Sequence, residues 1–304
     1  MKTAEPQAAE VALGPSLARA AAEIDSLFEA LLPDPPDPRR RLFQAMRHAA
    51  IGGGKRLRPA LCLASADLFG VPRARAFRAG LAVECVHIHS LIHDDLPCMD
   101  DDDLRRGKPT VHRAYDEATA VLAGDALLAL AFGILADPLT HSDGAVRAEL
   151  SGELSRAAGA WGMAGGQMLD LLSSAERESL DTVTSMQRLK TGALIGWCVE
   201  AGAILGHAPA DARTSLRGYA QCLGLAFQIA DDLLDREGDE RVVGKRLRKD
   251  EQAGRVTFVT LLGADRARRQ ADLLVEQAAE HLRGFGEDAR LLDAIARFCV
   301  SRRR

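Results

Sequence analysis

The stretch Gln228 to Asp235 reads QIADDLLD and lies inside an otherwise apolar, helix-periodic run from Leu223 to Leu234. Asp231 and Asp235 stand four residues apart and share one helix face, with Asp232 about 100° round from Asp231. Like charges at that spacing destabilise a helix, so the segment needs a compensating cation. A second acidic stretch, His87 to Pro109, reads HIHSLIHDDLPCMDDDDLRRGKP. An apolar, helix-like run from Ala79 to Ile92 delivers Asp94 and Asp95, and Asp100 to Asp103 follow closely. These six carboxylates fall within ten residues and repel one another unless a cation neutralises them. One such run alone reads as a solvated acidic loop. Two, 137 positions apart and each at or within a helix, are expected to form opposed walls with metal between them.

Oxygen-only ligation with no cysteine partner suits a hard cation, and Mg²⁺ typically binds through one or two carboxylates together with substrate phosphates. Arg105 and Arg106 directly follow the first acidic run, and arginine matches phosphate oxygens bidentately. Gly52 to Pro59, GGGKRLRP, adds three glycines followed by Lys55, Arg56 and Arg58. Glycines let backbone N–H groups approach an anion that the cations neutralise; a helix C-cap with exposed basic residues is the alternative reading. The order and spacing are not those of a P-loop. His87 lies seven residues before Asp94, about two helical turns up the same face and about 10 Å away.

Between chain breakers, segments of helical period recur: 16–32, 39–51, 59–69, 74–95, 116–136, 143–161, 163–174, 178–206, 210–236, 255–282 and 288–300. No stretch alternates with period two, so no sheet is expected and the chain reads as one all-α bundle over 1–304, its first 14 residues a flexible N-terminus. Aromatics make up only 4% of the residues, so Ala and Leu must fill the core, a composition that favours helices. The net charge of −4 argues against general nucleic-acid binding. Cys62, Cys85, Cys98, Cys198, Cys222 and Cys299 show no metal or redox spacing and fit a reducing cytosol. The N-terminus lacks a signal-peptide pattern, and the most apolar run, Ala118 to Ala136, is interrupted by Asp125 and Gly133, so membrane insertion is not expected.

DDLPCMDDDDLRRGKP and QIADDLLD resemble the first and second aspartate-rich motifs of the trans-type prenyl diphosphate synthases. GGGKRLRP, ECVHIHSLIHDD (Glu84 to Asp95), LAGDALLALAF (Leu122 to Phe132), GMAGGQMLDL (Gly162 to Leu171), KTGALI (Lys190 to Ile195) and GRVTFVTLLG (Gly254 to Gly263) are similar to that family too, in the family's order and through most of the chain.

The resemblance implies an isoprenoid-synthase helical bundle with a central cavity, a cytoplasmic homodimer and a head-to-tail condensation of isopentenyl diphosphate with allylic diphosphates. It gives Asp94, Asp95, Asp100, Asp231 and Asp235 to Mg²⁺, three ions in all, with Mn²⁺ able to substitute. Arg105, Lys190 and Lys245 would take the allylic diphosphate, with Asp250 near Lys245. Lys55, Arg58, His87 and Arg106 would take isopentenyl diphosphate. The Lys190 carbonyl, Thr191 and Gln228 would face the developing carbocation, since oriented neutral dipoles stabilise a cation without trapping it. Arg248 stands where the family more often has glycine, and Arg255 where it commonly has lysine. Ser90 and His89, four and five residues before Asp94, would line or floor the pocket for the growing chain. The expected product is farnesyl diphosphate, with geranylgeranyl diphosphate as the alternative. A class I terpene cyclase or a silent partner subunit would be expected to lack one of the two motifs.

Overall fold

The structure, a computed structural model, describes residues 5–173, 179–237 and 256–301, with backbone alone over 5–12. Helices dominate it: α1 (Glu5–Leu31), α2 (Arg40–Ala50), α3 (Leu57–Asp67), α4 (Arg73–Asp94), α5 (Val111–Ala114), α6 (Glu117–Ala136), α7 (Gly144–Ala158) and α8 (Met163–Leu171). Then come α9 (Leu180–Gln187), a π-helical turn (Arg188–Gly192), α10 (Ala193–Leu205), α11 (Ala210–Glu237), α12 (Phe258–Leu262) and α13 (Ala264–Leu282). A 3₁₀ segment (Arg283–Ala289) leads into α14 (Arg290–Ser301).

The expected all-α architecture is present, and most boundaries fall within two residues of the periodic segments. Three differences have physical causes. The first helix begins at Glu5 rather than Ser16 and runs through Pro15. Leu13, Leu17, Ala20, Ile24 and Phe28 are buried at three- and four-residue spacing, so one apolar stripe continues across the proline. The expected helix 178–206 is broken by the π turn. Finally, a small hairpin exists: β1 (Leu104–Arg105) pairs antiparallel with β2 (Lys108–Pro109). Strands of two residues are too short to show alternation. Their turn, Arg106 and Gly107, lies at φ 54° and 76°, the left-handed pair that a two-residue hairpin requires.

Helix α10 is the centre of the bundle. Its residues Trp197 to Leu205 are all buried, as a helix surrounded by others must be, and α3, α4, α7 and α11 pack around it. Contact with α3 is close because Gly202 carries no Cβ. An added Cβ there would overlap Ser65 and Ala66 of α3, where the Ser65 hydroxyl also donates to the Val199 carbonyl at 2.5 Å.

Among the described residues one helix, α6, is long and apolar enough to cross a membrane. It packs on α4, α2, α5 and α7, and leaves Ala118, Val121, Leu122, Asp125, Ala129 and Gly133 exposed along one stripe. Among the described residues no disulfide joins any of the six cysteines.

Gly202→Ala is expected to destabilise the fold by about 1–3 kcal/mol, the usual cost of overpacking. A urea midpoint lowered at unchanged m-value is the checking measurement, and an unchanged midpoint would show that α3 and α10 can separate freely.

Candidate active site

Helices α4, α8 and α11 and the π turn enclose a cavity of about 620 Å³. Asp94 is the last residue of α4, so it stands at a helix C-terminus, where the macrodipole opposes a negative charge. Asp95 caps that end, and backbone bonds from Asp100 N–H to the Asp94 carbonyl (2.8 Å) and from Asp102 N–H to the Asp95 carbonyl (3.2 Å) fold the acidic segment back over it. Burial, with Asp100 and Asp95 nearby, pushes the Asp94 carboxyl up to about 6 despite Lys190 and Arg105.

The opposite wall is α11. Asp231 and Asp235 line the cavity. Asp232 is turned inward, 5% exposed, accepting from Gln228 Nε2 at 2.8 Å and from the Phe258 N–H at 3.0 Å. It therefore anchors the start of α12. The expected pairing of two acidic walls across one space is thus present.

Asp95 behaves differently from its expected role as a metal ligand. It is 3% exposed, does not line the cavity, and accepts from Arg105 Nε at 3.0 Å. Arg105 also reaches Asp102 at 3.1 Å, so Arg105 is held at the cavity edge by the wall itself. Asp102, which carried no assignment, lines the cavity instead.

Lys190 and Thr191 lie in the π turn, a register that recurs at functional sites. Lys190 Nζ donates to Asp170 Oδ2 at 2.6 Å. Thr191 Oγ1 donates to Gln228 Oε1 at 3.1 Å, so the two neutral dipoles expected to act together do meet, and Asp232 fixes the Gln228 amide from its other side. The turn can approach α8 only because Gly166 lacks a Cβ, which would overlap the Lys190 backbone.

Asp170 and Gln167 also line the cavity and had no assigned role. Their signal was a Gln and an Asp three residues apart in the otherwise apolar GMAGGQMLDL, where helical spacing puts both on one face.

The basic motif lies between α2 and α3 and divides three ways. Lys55 points outward, its Nζ 5.7 Å from the Phe298 ring centroid. Arg56, only 2% exposed, turns into the core at φ 48°, pairing with Glu84 at 2.8 Å and Asp25 at 2.6 Å. Arg58 faces the cavity, and its Nε is buried without a hydrogen-bond partner. The glycines chiefly make room for Arg106: a Cβ on Gly54 would stand 2.5–2.8 Å from its guanidinium, and Arg106 donates to the Gly53 carbonyl at 3.2 Å. Burial, then Arg58 and Arg106, hold the His87 imidazole well below its ordinary range, so it is neutral beside those cations.

His89 and Ser90 line the cavity on α4. Ser90 Oγ donates to the His87 carbonyl at 2.8 Å, while burial and His93 push His89 down to about 4. Lys245, Arg248, Asp250 and Arg255 lie outside the described residues.

The cavity lining carries seven carboxylates (Asp94, Asp100, Asp102, Asp170, Asp231, Asp232 and Asp235) against three permanent cations (Arg58, Arg105 and Lys190) among the described residues. An all-oxygen donor set with that excess of negative charge fits Mg²⁺.

The polyprenyl synthetase family model matches residues 39–295. The chain belongs to the polyprenyl synthetase family. It is 44% identical to a farnesyl diphosphate synthase of Escherichia coli K12 over 91% of this chain and 93% of that protein. A solved apo structure from Zymomonas mobilis, described as an FPP/GFPP synthase, superposes with a TM-score of 0.89 at 54% identity, covering 95% of this chain and 99% of that one. A Helicobacter pylori geranyltransferase, solved with magnesium and isoprenyl diphosphate, gives 0.81 at 32% identity, covering 94% and 96%.

The raised Asp94 carboxyl sets a pH dependence for the metal-free fold. Its stabilising contribution is full below about pH 4, where both states are protonated, and is lost as pH rises through about 6. Asp94→Asn in chelator at pH 7 is therefore expected to be more stable than the native chain by up to about 3 kcal/mol, with the gap closing in acid. Urea denaturation across pH checks this; a gap that does not change with pH would sink it.

Proposed function

We propose that the chain is a cytoplasmic prenyltransferase that condenses isopentenyl diphosphate head-to-tail with dimethylallyl and then geranyl diphosphate, giving farnesyl diphosphate. The observation that carries this reading is the facing of two acidic walls across one cavity, with a separate cradle of Arg58, Arg106 and neutral His87 at its edge.

Asp94, Asp100, Asp231 and Asp235 would hold Mg²⁺, three ions at full occupancy, with Mn²⁺ able to substitute. When bound, the metal supplies Lewis-acid neutralisation of the departing diphosphate. Lys190, held by Asp170, and Arg105, held by Asp95, direct their positive charge at that diphosphate from fixed positions, and Lys245 joins them. Lys55, Arg58, His87 and Arg106 bind isopentenyl diphosphate and set its double bond against C1 of the allylic partner. Thr191, Gln228 and the Lys190 carbonyl present oriented dipoles to the carbocation that forms at C1. The new carbon–carbon bond forms there, and the proton lost in closing the product's double bond goes to the departing diphosphate. Asp95 acts through Arg105 and is a positioning residue.

His89 and Ser90 stand where the growing chain descends past α4, so their bulk limits its length. A longer product, geranylgeranyl diphosphate, is the second reading: His89 is smaller than the aromatic floor of many fifteen-carbon synthases, and a geranylgeranyl pyrophosphate synthase of Arabidopsis thaliana is 43% identical over 85% of this chain. A homodimer is supported by the exposed apolar stripe on α6, which a second copy would cover, and cysteines outside any disulfide support a reducing compartment.

The test is a product assay with Mg²⁺, isopentenyl diphosphate and each allylic starter, sizing products after dephosphorylation. Consumption of isopentenyl diphosphate with fifteen-carbon product is expected; a cyclase or silent subunit would consume none. Asp94→Ala is expected to lower turnover by about 10³-fold or more, the scale of removing a key electrostatic group, with the circular dichroism spectrum unchanged. Near-normal turnover would remove Asp94 from the metal set. His89→Ala is expected to lengthen the product, and an unchanged length would place the floor elsewhere.

A further inference from the structure

A further group of metal-ligating side chains among the described residues adjoins the acidic walls without drawing on their carboxylates: His89 and His93 on α4 and Asp125 on α6, with one donor atom from each within 4.8 Å of the others. His89 and His93 are four residues apart, so their rings share one face of α4, with centroids 4.5 Å apart and planes at 66°. His93 Nε2 is 3.9 Å from Asp125 Oδ1. Two further observations mark the place as built. His89 Nδ1 is buried with no hydrogen-bond partner. Gly124, beside Asp125, leaves space that a Cβ would fill, since that atom would fall on His93 Nε2.

We propose that His89, His93 and Asp125 form a binding site for a borderline transition-metal cation of the Zn²⁺ class, at the seam of α4 and α6, where the two histidines also line the main cavity. Two imidazoles and one carboxylate suit Zn²⁺, Co²⁺ or Ni²⁺ and are a poor match for Mg²⁺, which prefers oxygen alone. Three protein ligands leave a fourth position for water. In a tetrahedral site with bonds of about 2.0–2.2 Å, donor atoms lie about 3.3 Å apart, so the three groups, now within 4.8 Å of one another, must close by up to about 1.5 Å. Asp125 is 61% exposed in the single chain, on the α6 face assigned above to a second copy, and it turns inward toward the histidines, so the site closes without needing that face open to solvent.

His93 Nε2 now donates to the Val121 carbonyl at 3.1 Å. Moving that proton to Nδ1 frees Nε2 for the metal, so the neutral ring changes tautomer and no net proton is released. Burial keeps His89 neutral, as a ligand must be.

The binding test stands apart from the reaction proposed above. The full chain is stripped with chelator and returned to excess Mg²⁺, which occupies the acidic walls. Zn²⁺ is then titrated by calorimetry and Co²⁺ by its visible d–d bands. One equivalent per chain is expected, with bands of low coordination number. Asp125→Asn and His89→Ala should each weaken binding by about tenfold or more, equivalent to about 1.4 kcal/mol, and either variant alone suffices if the other fails to fold. No Zn²⁺ uptake against Mg²⁺ would overturn the site, and so would uptake indifferent to both substitutions, which would put the ion in the acidic walls.

A filled site would pin the His89 ring, a consequence that does rest on the prenyl-transfer reading. Product sizes at saturating Mg²⁺, with and without Zn²⁺, are expected to narrow when Zn²⁺ is present. An unchanged distribution, with binding intact, would overturn the consequence alone.

Discussion

Carboxylates gathered in a partly buried wall repel one another more strongly than in water, because little solvent screens them. The whole upper end of the bundle is arranged around that repulsion. Part of the charge is neutralised within the chain. Arg105 answers Asp95, Arg113 answers Asp103 at 2.6 Å, and Lys190 answers Asp170. These fixed pairs fold the segment after α4 and orient two of the cations toward the cavity. Asp94 and Asp95 both keep a cost of burial that raises their carboxyls, Asp95 despite Arg105 and Asp94 up to about 6. A divalent cation relieves a penalty that the folded chain already carries, so metal binding and stability are linked.

Positioning those groups requires backbones to come closer than ordinary side chains allow. Gly166 lets α8 meet the π turn that carries Lys190, and Gly224 of α11 lies against Gly192 of the same turn. Gly53 and Gly54 leave room for the Arg106 guanidinium. Each contact places a charged or polar group while excluding water from behind it, which keeps the local dielectric low.

Much of this was legible in the sequence because the relevant signals are local. Helical period gave the elements, and the acid spacing gave the two walls and set Asp232 about 100° round from Asp231, while only the structure shows that Asp232 turns inward. What was missed depends on contacts between distant segments. Asp95 and Asp94 are neighbours in the chain, yet only the hairpin of Leu104–Pro109 decides that Arg105 claims the former. Arg56 and Arg58 look equivalent in GGGKRLRP, but the left-handed backbone at Arg56 sends it to Glu84 and Asp25 in the core. Asp170 was hidden because a single acid in an apolar helix gives no sign of which lysine it will meet. The π turn has no sequence mark of its own, since it follows from how α8 and α11 clamp the chain between α9 and α10.

The two proposed diphosphate sites differ in how they supply positive charge, and the difference fits their tasks. At the cradle the charge belongs to the chain: Arg58 and Arg106 cannot be deprotonated at ordinary pH, and burial, then their proximity, keeps His87 neutral. A neutral imidazole offers one N–H and adds no charge, so the cradle's positive charge comes from Arg58 and Arg106, with Lys55 beside them. That suits a diphosphate that stays bonded to its carbon chain through the reaction. Across the cavity the charge is largely exchangeable, because the walls are negative and must recruit metal. A group that departs as a free anion needs stabilisation that grows as it leaves and can afterwards dissociate with it. Fixed arginines in both places would retain that anion, whereas carboxylates in both places would leave the first substrate without a permanent anchor.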